Sequence, residues 1–125
     1  MTTLSTRVAA LRADVLGRVA AVLALGSALV HLLLVDVAVL GSLAMLGMAL
    51  VCLPCAWHLW RDASPGVWAV TAAVDTAMLV LHLQMLAPQS GHAHGSAAGP
   101  GALMWLGLGL VVAQLVLAGG AALRR

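Results

Sequence analysis

The run VWAVTAAVDTAMLVLHLQMLA, residues 67–87, decides the fold, because its length and composition do not suit a helix on a water-exposed surface. A membrane-spanning helix needs about 20 predominantly apolar residues. This run supplies them between the turn-forming pair Pro65-Gly66 and the next breaker, Pro88. We therefore predict a transmembrane helix here. The question it raises is why such a helix carries an acid, two thioethers and an imidazole.

Three further apolar runs of the same kind accompany it, at about 15–34, 37–60 and 101–123. The chain is 63% hydrophobic and 8% charged, with a mean hydropathy of +1.09, whereas about a quarter of the residues in a soluble domain are charged. The sequence therefore predicts an all-α fold, a single domain of four transmembrane helices in an antiparallel bundle. Its solvent is the lipid bilayer. The segment 88–100, PQSGHAHGSAAGP, is predicted to be a polar loop.

The arginines give this four-span arrangement a predicted orientation. All six lie before or at the start of span one, between spans two and three, or after span four, at Arg7, Arg12, Arg18, Arg61, Arg124 and Arg125. Basic residues concentrate on the cytoplasmic side of membrane proteins. We expect both termini to be cytoplasmic, loop 88–100 to face outward, and the membrane to be the inner (plasma) membrane. Trp57, Trp60 and Trp68 fall at the predicted inner ends of spans two and three, the depth that Trp favours.

Several classes of protein are disfavoured by the same composition. The first apolar run is longer than the core of a signal peptide and lacks a cleavage site, so we expect it to be retained. No basic face exists outside the termini, which argues against nucleic-acid binding. Cys52 and Cys55 lie within a predicted span, so they do not indicate a secreted disulfide framework. No motif of a known catalytic type is present, and we do not expect an enzyme.

Helical spacing places the polar residues of residues 67–87 on one face. At about 100° per residue, Asp75, Met78, His82 and Met85 fall within an arc of roughly 80°, and Thr71 lies on the same arc. Span two repeats this spacing with two methionines and two cysteines, namely Met45, Met48, Cys52 and Cys55. Because an ionisable group facing lipid is costly, we predict that both stripes turn toward the bundle interior.

The leading functional hypothesis is a site for a soft transition metal, copper above all, at the outer face of the membrane. Imidazole and thioether ligands suit copper better than they suit magnesium or calcium. The predicted metal ligands come from spans one and three and from loop 88–100: His31, Asp75, Met78, His82, Met85, His92 and His94. His92 and His94 would capture the ion in the loop, and His31 and His82 would bind it at the mouth of the bundle.

Two alternatives use the same residues differently. His31 and His82, from two helices at a similar depth, suit the two axial positions of a haem in a four-helix bundle. A structural or accessory subunit without a ligand would use its polar residues for hydrogen bonds between helices. The glycine-rich faces also allow close helix approach, and hence a homo-oligomer or a larger membrane complex.

The D-x-x-M-x-x-x-H-x-x-M run formed by Asp75, Met78, His82 and Met85 resembles small actinobacterial multi-span membrane proteins of unknown function. Those proteins carry His and Met in similarly apolar helices, and His31 adds to the resemblance. It covers about a fifth of the chain. It implies a polytopic inner-membrane protein and supplies no activity.

Overall fold

The computed structural model describes residues 2–36, 42–86 and 101–123, and every regular element in this part of the chain is an α-helix. The helices are α1 (Thr2–Leu33), α2 (Ser42–Arg61), α3 (Pro65–Leu86) and α4 (Ala102–Leu123). All four are long and apolar enough to cross a membrane. The predicted all-α architecture with four transmembrane helices is confirmed, and the fold is that of a multi-pass membrane protein.

The first helix is longer than predicted. It begins at Thr2 rather than near residue 15, although the apolar part that can span a membrane begins only at Leu11. A helix of 32 residues is about 48 Å long at 1.5 Å per residue, whereas the hydrocarbon core is about 30 Å thick. The extra turns contain Ala, Leu and Arg, which are strong helix formers, and nothing in the sequence stops the helix before the membrane begins.

The connection between α1 and α2 is held by one serine. The backbone N–H of Asp36 donates to Ser42 Oγ at 2.7 Å, and the Ser42 hydroxyl donates in turn to the carbonyl oxygen of Asp36. The predicted second span began near residue 37, but α2 begins at Ser42, and residues 37–41 lie outside the described part of the chain. Asp36 lies in this connection, after the end of α1.

The turn between α2 and α3 consists of residues 62–64. The last turn of α2 is extended by a bond from Asp62 N–H to the His58 carbonyl oxygen, at 2.8 Å. The first turn of α3 is closed by a bond from Trp68 N–H to the Ser64 carbonyl oxygen, at 3.0 Å. Pro65 is the first residue of α3, where its missing N–H has no consequence for the helix.

The four helices form a closed square in which each packs on two neighbours. Consecutive helices contact one another and α4 contacts α1, while within the described residues the diagonal pairs α1–α3 and α2–α4 make no close backbone approach. One end of the square, the loop end, carries Leu33, Ser42, Leu86 and Ala102. The opposite end, the arginine end, carries Arg18, Arg61, Pro65 and Leu123.

The interior of the bundle holds small and polar side chains, and the large aliphatic ones point outward. Leu25, Leu29, Leu50 and Val116 are all about half exposed or more, while Ala20, Ala21, Ala24 and Ala28 are buried. In water this distribution would be unfavourable. In lipid it is expected, because small residues let helices pack closely and the acyl chains solvate the leucines.

At the arginine end the packing is closest between α1 and α2. A Cβ atom placed on Gly17 would lie 2.7 Å from the Cβ of Ala63 and 2.9 Å from the backbone oxygen of Leu59. Leu59 is also the centre of a buried cluster with Ala20, Ala21, Trp68 and Ala118. The close packing of α1 against α2 therefore requires glycine at position 17.

The tryptophans at this end divide into two groups. Trp57 and Trp60 are exposed, with the guanidinium groups of Arg61 and Arg18 lying 4.6 and 5.7 Å from their ring centroids. Such cation–π contacts beside arginine are consistent with an interfacial position. Trp68, at the same end, is buried in the bundle. Its ring fills the space that the neighbouring alanines leave open.

Candidate functional site

The polar stripe of α3 faces the bundle interior, as predicted. Thr71, Asp75 and Met78 are each 2% exposed, and His82 is completely buried. The corresponding stripe of α2 is also turned inward, since Met48, Cys52 and Cys55 are buried. The ionisable stripe of α3 is therefore shielded from lipid by the other helices of the bundle, the arrangement that the cost of charge in hydrocarbon requires.

His31 of α1 and His82 of α3 meet at the centre of the bundle. Their ring centroids lie 5.3 Å apart, with the ring planes inclined by 74°. Both side chains are completely buried. The two helices occupy diagonal corners and do not approach each other closely in the described residues, so the imidazoles reach across the bundle axis to meet. The predicted pairing of these two residues is thus present in the fold.

Backbone hydrogen bonds hold each imidazole in one orientation. His31 Nδ1 lies 2.7 Å from the Ser27 carbonyl oxygen, and His82 Nδ1 lies 2.8 Å from the Met78 carbonyl oxygen. A carbonyl oxygen only accepts, so each Nδ1 carries the hydrogen and donates it. In the neutral ring the Nε2 atom then bears a lone pair. Each contact spans one turn of the residue's own helix, so local structure sets both tautomers.

Neither Nε2 atom has a hydrogen-bond partner among the described residues, although both are buried. A buried polar atom without a partner costs about 1–3 kcal/mol, and such atoms are rare in folded proteins. A histidine that binds a metal typically donates its other ring N–H to a backbone carbonyl or a carboxylate. The pair therefore has the arrangement of metal-binding histidines, with two orphaned lone pairs at the bundle centre.

A glycine of α4 leaves space beside one of these lone pairs. A Cβ atom on Gly107 would lie 3.7 Å from His82 Nε2 and 3.3 Å from Val30 Cγ1, and no other atom of the His82 ring lies within 4 Å of it. The tip of the imidazole therefore points toward the backbone of α4. Gly107 itself is buried, so this space belongs to the bundle interior.

A pair of sulfur atoms lies beneath the histidines, toward the arginine end. Cys52 Sγ of α2 is 3.8 Å from Met78 Sδ of α3. Both residues belong to a buried cluster with Met48, Ala28 and Val111. Cys52 also lies close to Ser27. The cluster therefore adjoins the two residues, Ser27 and Met78, whose carbonyls hold the imidazoles. Neither cysteine forms a disulfide.

A third group of polar residues lies further toward the middle of the helices. Thr71 Oγ1, Asp75 Oδ2 and Gln114 Oε1 are buried and have no hydrogen-bond partner among the described residues. Cys55 lies close to Thr71 and Asp75. Asp75 is seven residues below His82 on α3, and Gln114 is seven residues below Gly107 on α4. At 1.5 Å per residue both are about 10 Å from the level of the histidines, so they share a depth.

Sequence reasoning missed Ser27, Gly107 and Gln114. Gln114 is the only strongly polar side chain in α4, and an amide within a membrane helix is a recognised sign of an interhelical contact. Gln114 could therefore have been recognised from the sequence. The roles of Ser27 and Gly107 could not, because they depend on a backbone carbonyl and on empty space, and neither of these leaves a pattern in the sequence.

Three of the predicted ligands cannot be placed by the described part of the chain. His92 and His94 lie outside the described residues, as does the side chain of Met85. Within residues 2–36, 42–86 and 101–123, no three His, Cys, Asp or Glu side chains are grouped so that they could hold a metal ion.

The predicted ligands that the structure does bring together are His31 and His82, whose rings are in contact and whose Nε2 atoms are both buried without a partner in the described residues. Comparison of the chain with known protein families, with curated proteins and with solved structures found no match.

Proposed function

We propose that this multi-pass membrane protein binds a soft transition metal, copper as Cu(I), through the Nε2 atoms of His31 and His82. The observation that carries the proposal is the pair of buried lone pairs, each held in place by an Nδ1–H bond to a backbone carbonyl and each without a partner in the described residues. Imidazole is a good ligand for copper. Because the proposed site has only two ligands, it does not require a group of three His, Cys, Asp or Glu side chains, and none is present in the described residues.

The distance between the rings suits a bridging ion. An ion bonded to Nε2 at about 2 Å lies about 3 Å from the ring centroid, so two rings sharing one ion have centroids at most about 6 Å apart. The observed separation is 5.3 Å. The ion would carry a single positive charge between neutral ligands. Asp75, the only acidic side chain among the buried residues described, lies on the same interior face and can compensate it.

The haem alternative fits this geometry less well. Axial ligands bind iron from opposite sides of a flat macrocycle, which requires the centroids to lie near the 6 Å limit with an open plane between them. Here the rings meet edge to face, and the backbone of Gly107 in α4 lies close to His82 Nε2. The helices of this closed square would have to separate to admit a porphyrin.

The structural alternative is opposed by the orphaned atoms. Polar residues that serve only to join helices should be paired with each other across those helices. The Nδ1 atoms of His31 and His82 bond instead to their own helices, and the Nε2 atoms bond to nothing in the described residues. Two histidines so placed contribute little to helix association, and a bound ion would satisfy both lone pairs.

The location and entry route follow from the predicted topology. If loop 88–100 faces outward, the histidine pair lies in the outer half of the bilayer and His92 and His94 are the first groups to meet an ion. Because His31 and His82 are completely buried, the loop end must open for the ion to enter. Assembly into a homo-oligomer or a larger membrane complex belongs to the same proposal, since exposed glycines on α4 would allow it.

The experiment is an anaerobic titration of the purified protein in detergent with Cu(I), against a competing chelator, for the wild type, His31→Ala and His82→Ala. We expect each substitution to weaken binding by more than tenfold. His58→Ala is the matched control, because His58 is exposed at the arginine end and its loss should change nothing.

Two outcomes would contradict the proposal. The first is equal Cu(I) affinity for the wild type and both core variants, with thermal unfolding showing that all of them are folded. The second is a purified protein with an absorption band near 400 nm of haem intensity, which would favour the axial-ligand alternative.

A further inference from the structure

The sulfur pair below the histidines contributes a second set of soft donors that the histidine site does not use. Cys52 Sγ and Met78 Sδ are in contact at 3.8 Å, and the two residues are 3% and 2% exposed. Met48, which is 5% exposed, packs in the same cluster. A thiol and two thioethers from two helices thus lie together where neither water nor lipid reaches them.

We propose that Cys52 Sγ and Met78 Sδ form a second Cu(I) site, one layer below the histidine pair, with Met48 as a further thioether ligand. This inference rests on the proposed function in that both sites take the same ion. It assigns the sulfur atoms a role of their own, with a donor set that selects Cu(I) over harder ions.

The observed separation of the sulfur atoms suits such a site without movement of the helices. With metal–sulfur bonds of about 2.3 Å, the length found at zinc thiolates, two sulfur atoms 3.8 Å apart subtend an angle of about 110° at the ion. That angle lies between the tetrahedral and trigonal values, so a third ligand can be accommodated. Met48 belongs to the same buried cluster, and we assign this third position to its thioether.

The charge balance favours this site in the middle of a membrane. When Cu(I) binds, the Cys52 thiol loses its proton to water, and the bond that forms is between the thiolate sulfur and the ion. The positive ion and the thiolate together carry no net charge, and the thioethers are neutral. A neutral complex avoids the high cost of an uncompensated charge in hydrocarbon.

Met78 connects the two sites physically. Its carbonyl oxygen accepts the hydrogen bond that orients His82, and its sulfur contacts Cys52. On the other side, the carbonyl of Ser27 orients His31, and Ser27 lies close to Cys52. The sulfur site is therefore adjacent to the nitrogen site. An ion that leaves the histidines toward the arginine end would meet the sulfur atoms next.

The test is Cu(I) stoichiometry together with copper X-ray absorption of the protein in detergent, for the wild type, Cys52→Ala and Met78→Leu. We expect the wild type to show sulfur scattering near 2.3 Å and each variant to bind one ion fewer per chain and to lose that scattering. Met78→Leu conserves volume and retains the carbonyl that orients His82. Cys55→Ala and Met104→Leu are the controls, because neither residue belongs to the buried cluster that holds the sulfur pair or packs against it.

The two proposals fail in distinguishable ways. If Cys52→Ala and Met78→Leu keep the full stoichiometry and the sulfur scattering, the sulfur site is refuted whatever the histidines do. If His31→Ala and His82→Ala keep full binding while the sulfur variants lose it, the histidine site is refuted and the sulfur site stands. Thermal unfolding of each variant confirms that loss of the ion is not loss of the fold.

Discussion

Substituting Gly107 by alanine should block copper binding while every proposed ligand remains in place. The added methyl carbon would lie 3.7 Å from His82 Nε2, the proposed ligand atom. An ion bonded to Nε2 on the side of this carbon lies about 2 Å from the nitrogen, which leaves less than 2 Å to the methyl carbon. Carbon atoms need about 3.5 Å from their neighbours, so the methyl and the ion exclude one another.

The same substitution should change stability little. Replacing glycine by alanine inside a helix stabilises it by roughly 0.5–1 kcal/mol. Against this, Val30 Cγ1 lies 3.3 Å from the new methyl and must shift by a few tenths of an ångström, which offsets part of that gain. We expect a Cu(I) affinity at least tenfold weaker, about 1.4 kcal/mol, at an unfolding temperature close to that of the wild type.

The matched control is Gly109→Ala, two residues along the same helix, where an added Cβ has no neighbour within 4 Å. It makes the same helix-propensity gain and leaves the histidines untouched. Anaerobic Cu(I) competition and thermal unfolding of the two variants, side by side, give the comparison. Equal Cu(I) affinity for Gly107→Ala and Gly109→Ala would refute the placement of the ion at His82 Nε2, because no ion could share that space with a methyl group.

Three further predictions concern the bundle itself. Gly17→Ala should destabilise the protein by about 1–3 kcal/mol in detergent unfolding, because the added methyl group meets rigid backbone there. Gly47→Ala is the control and should leave stability unchanged or raise it, because its position is open, and equal effects of the two variants would contradict the close approach of α1 and α2. Leu59→Ala should lower the free energy of unfolding by about 2–5 kcal/mol because it leaves a cavity, whereas Leu53→Ala on the outer surface should have a small effect. A larger effect of Leu53→Ala would contradict the assignment of Leu59 to the interior. Asp75→Asn should leave the free energy of unfolding within about 1 kcal/mol of the wild-type value, since the buried Oδ2 atom has no partner in the described residues to lose. The same substitution should weaken Cu(I) binding because it removes the negative charge, and an unchanged affinity would show that Asp75 does not compensate the charge of the ion.

Much of the architecture was predictable because it depends on distances within one segment. Twenty apolar residues are long enough to span lipid wherever they occur, and four such runs predict four helices before any contact is known. The interior face of α3 was equally accessible, since Thr71, Asp75, Met78 and His82 share an arc at helical spacing and an acid avoids lipid. Their burial in the structure confirms that reasoning.

The same local reasoning does not report the contacts that a residue makes with another helix. Trp68 is buried at the arginine end, where it packs with Ala20, Ala21 and Ala118 of two other helices. The start of α1 lies before the apolar run. Hydropathy reports where lipid ends, whereas the helix continues until the chain supplies a stop signal.

The sequence by itself determined the number of helices, their inward faces and the soft-donor character of the interior, because hydrophobic length and helical periodicity are properties of the chain alone. Only the tertiary structure decided that His31 and His82 meet across the diagonal, that Gly107 leaves space at one lone pair, and that Cys52 touches Met78. These contacts depend on the register between helices. That register is set by the packing of small residues such as Gly17 and by the connections, and no spacing within a single helix reports it.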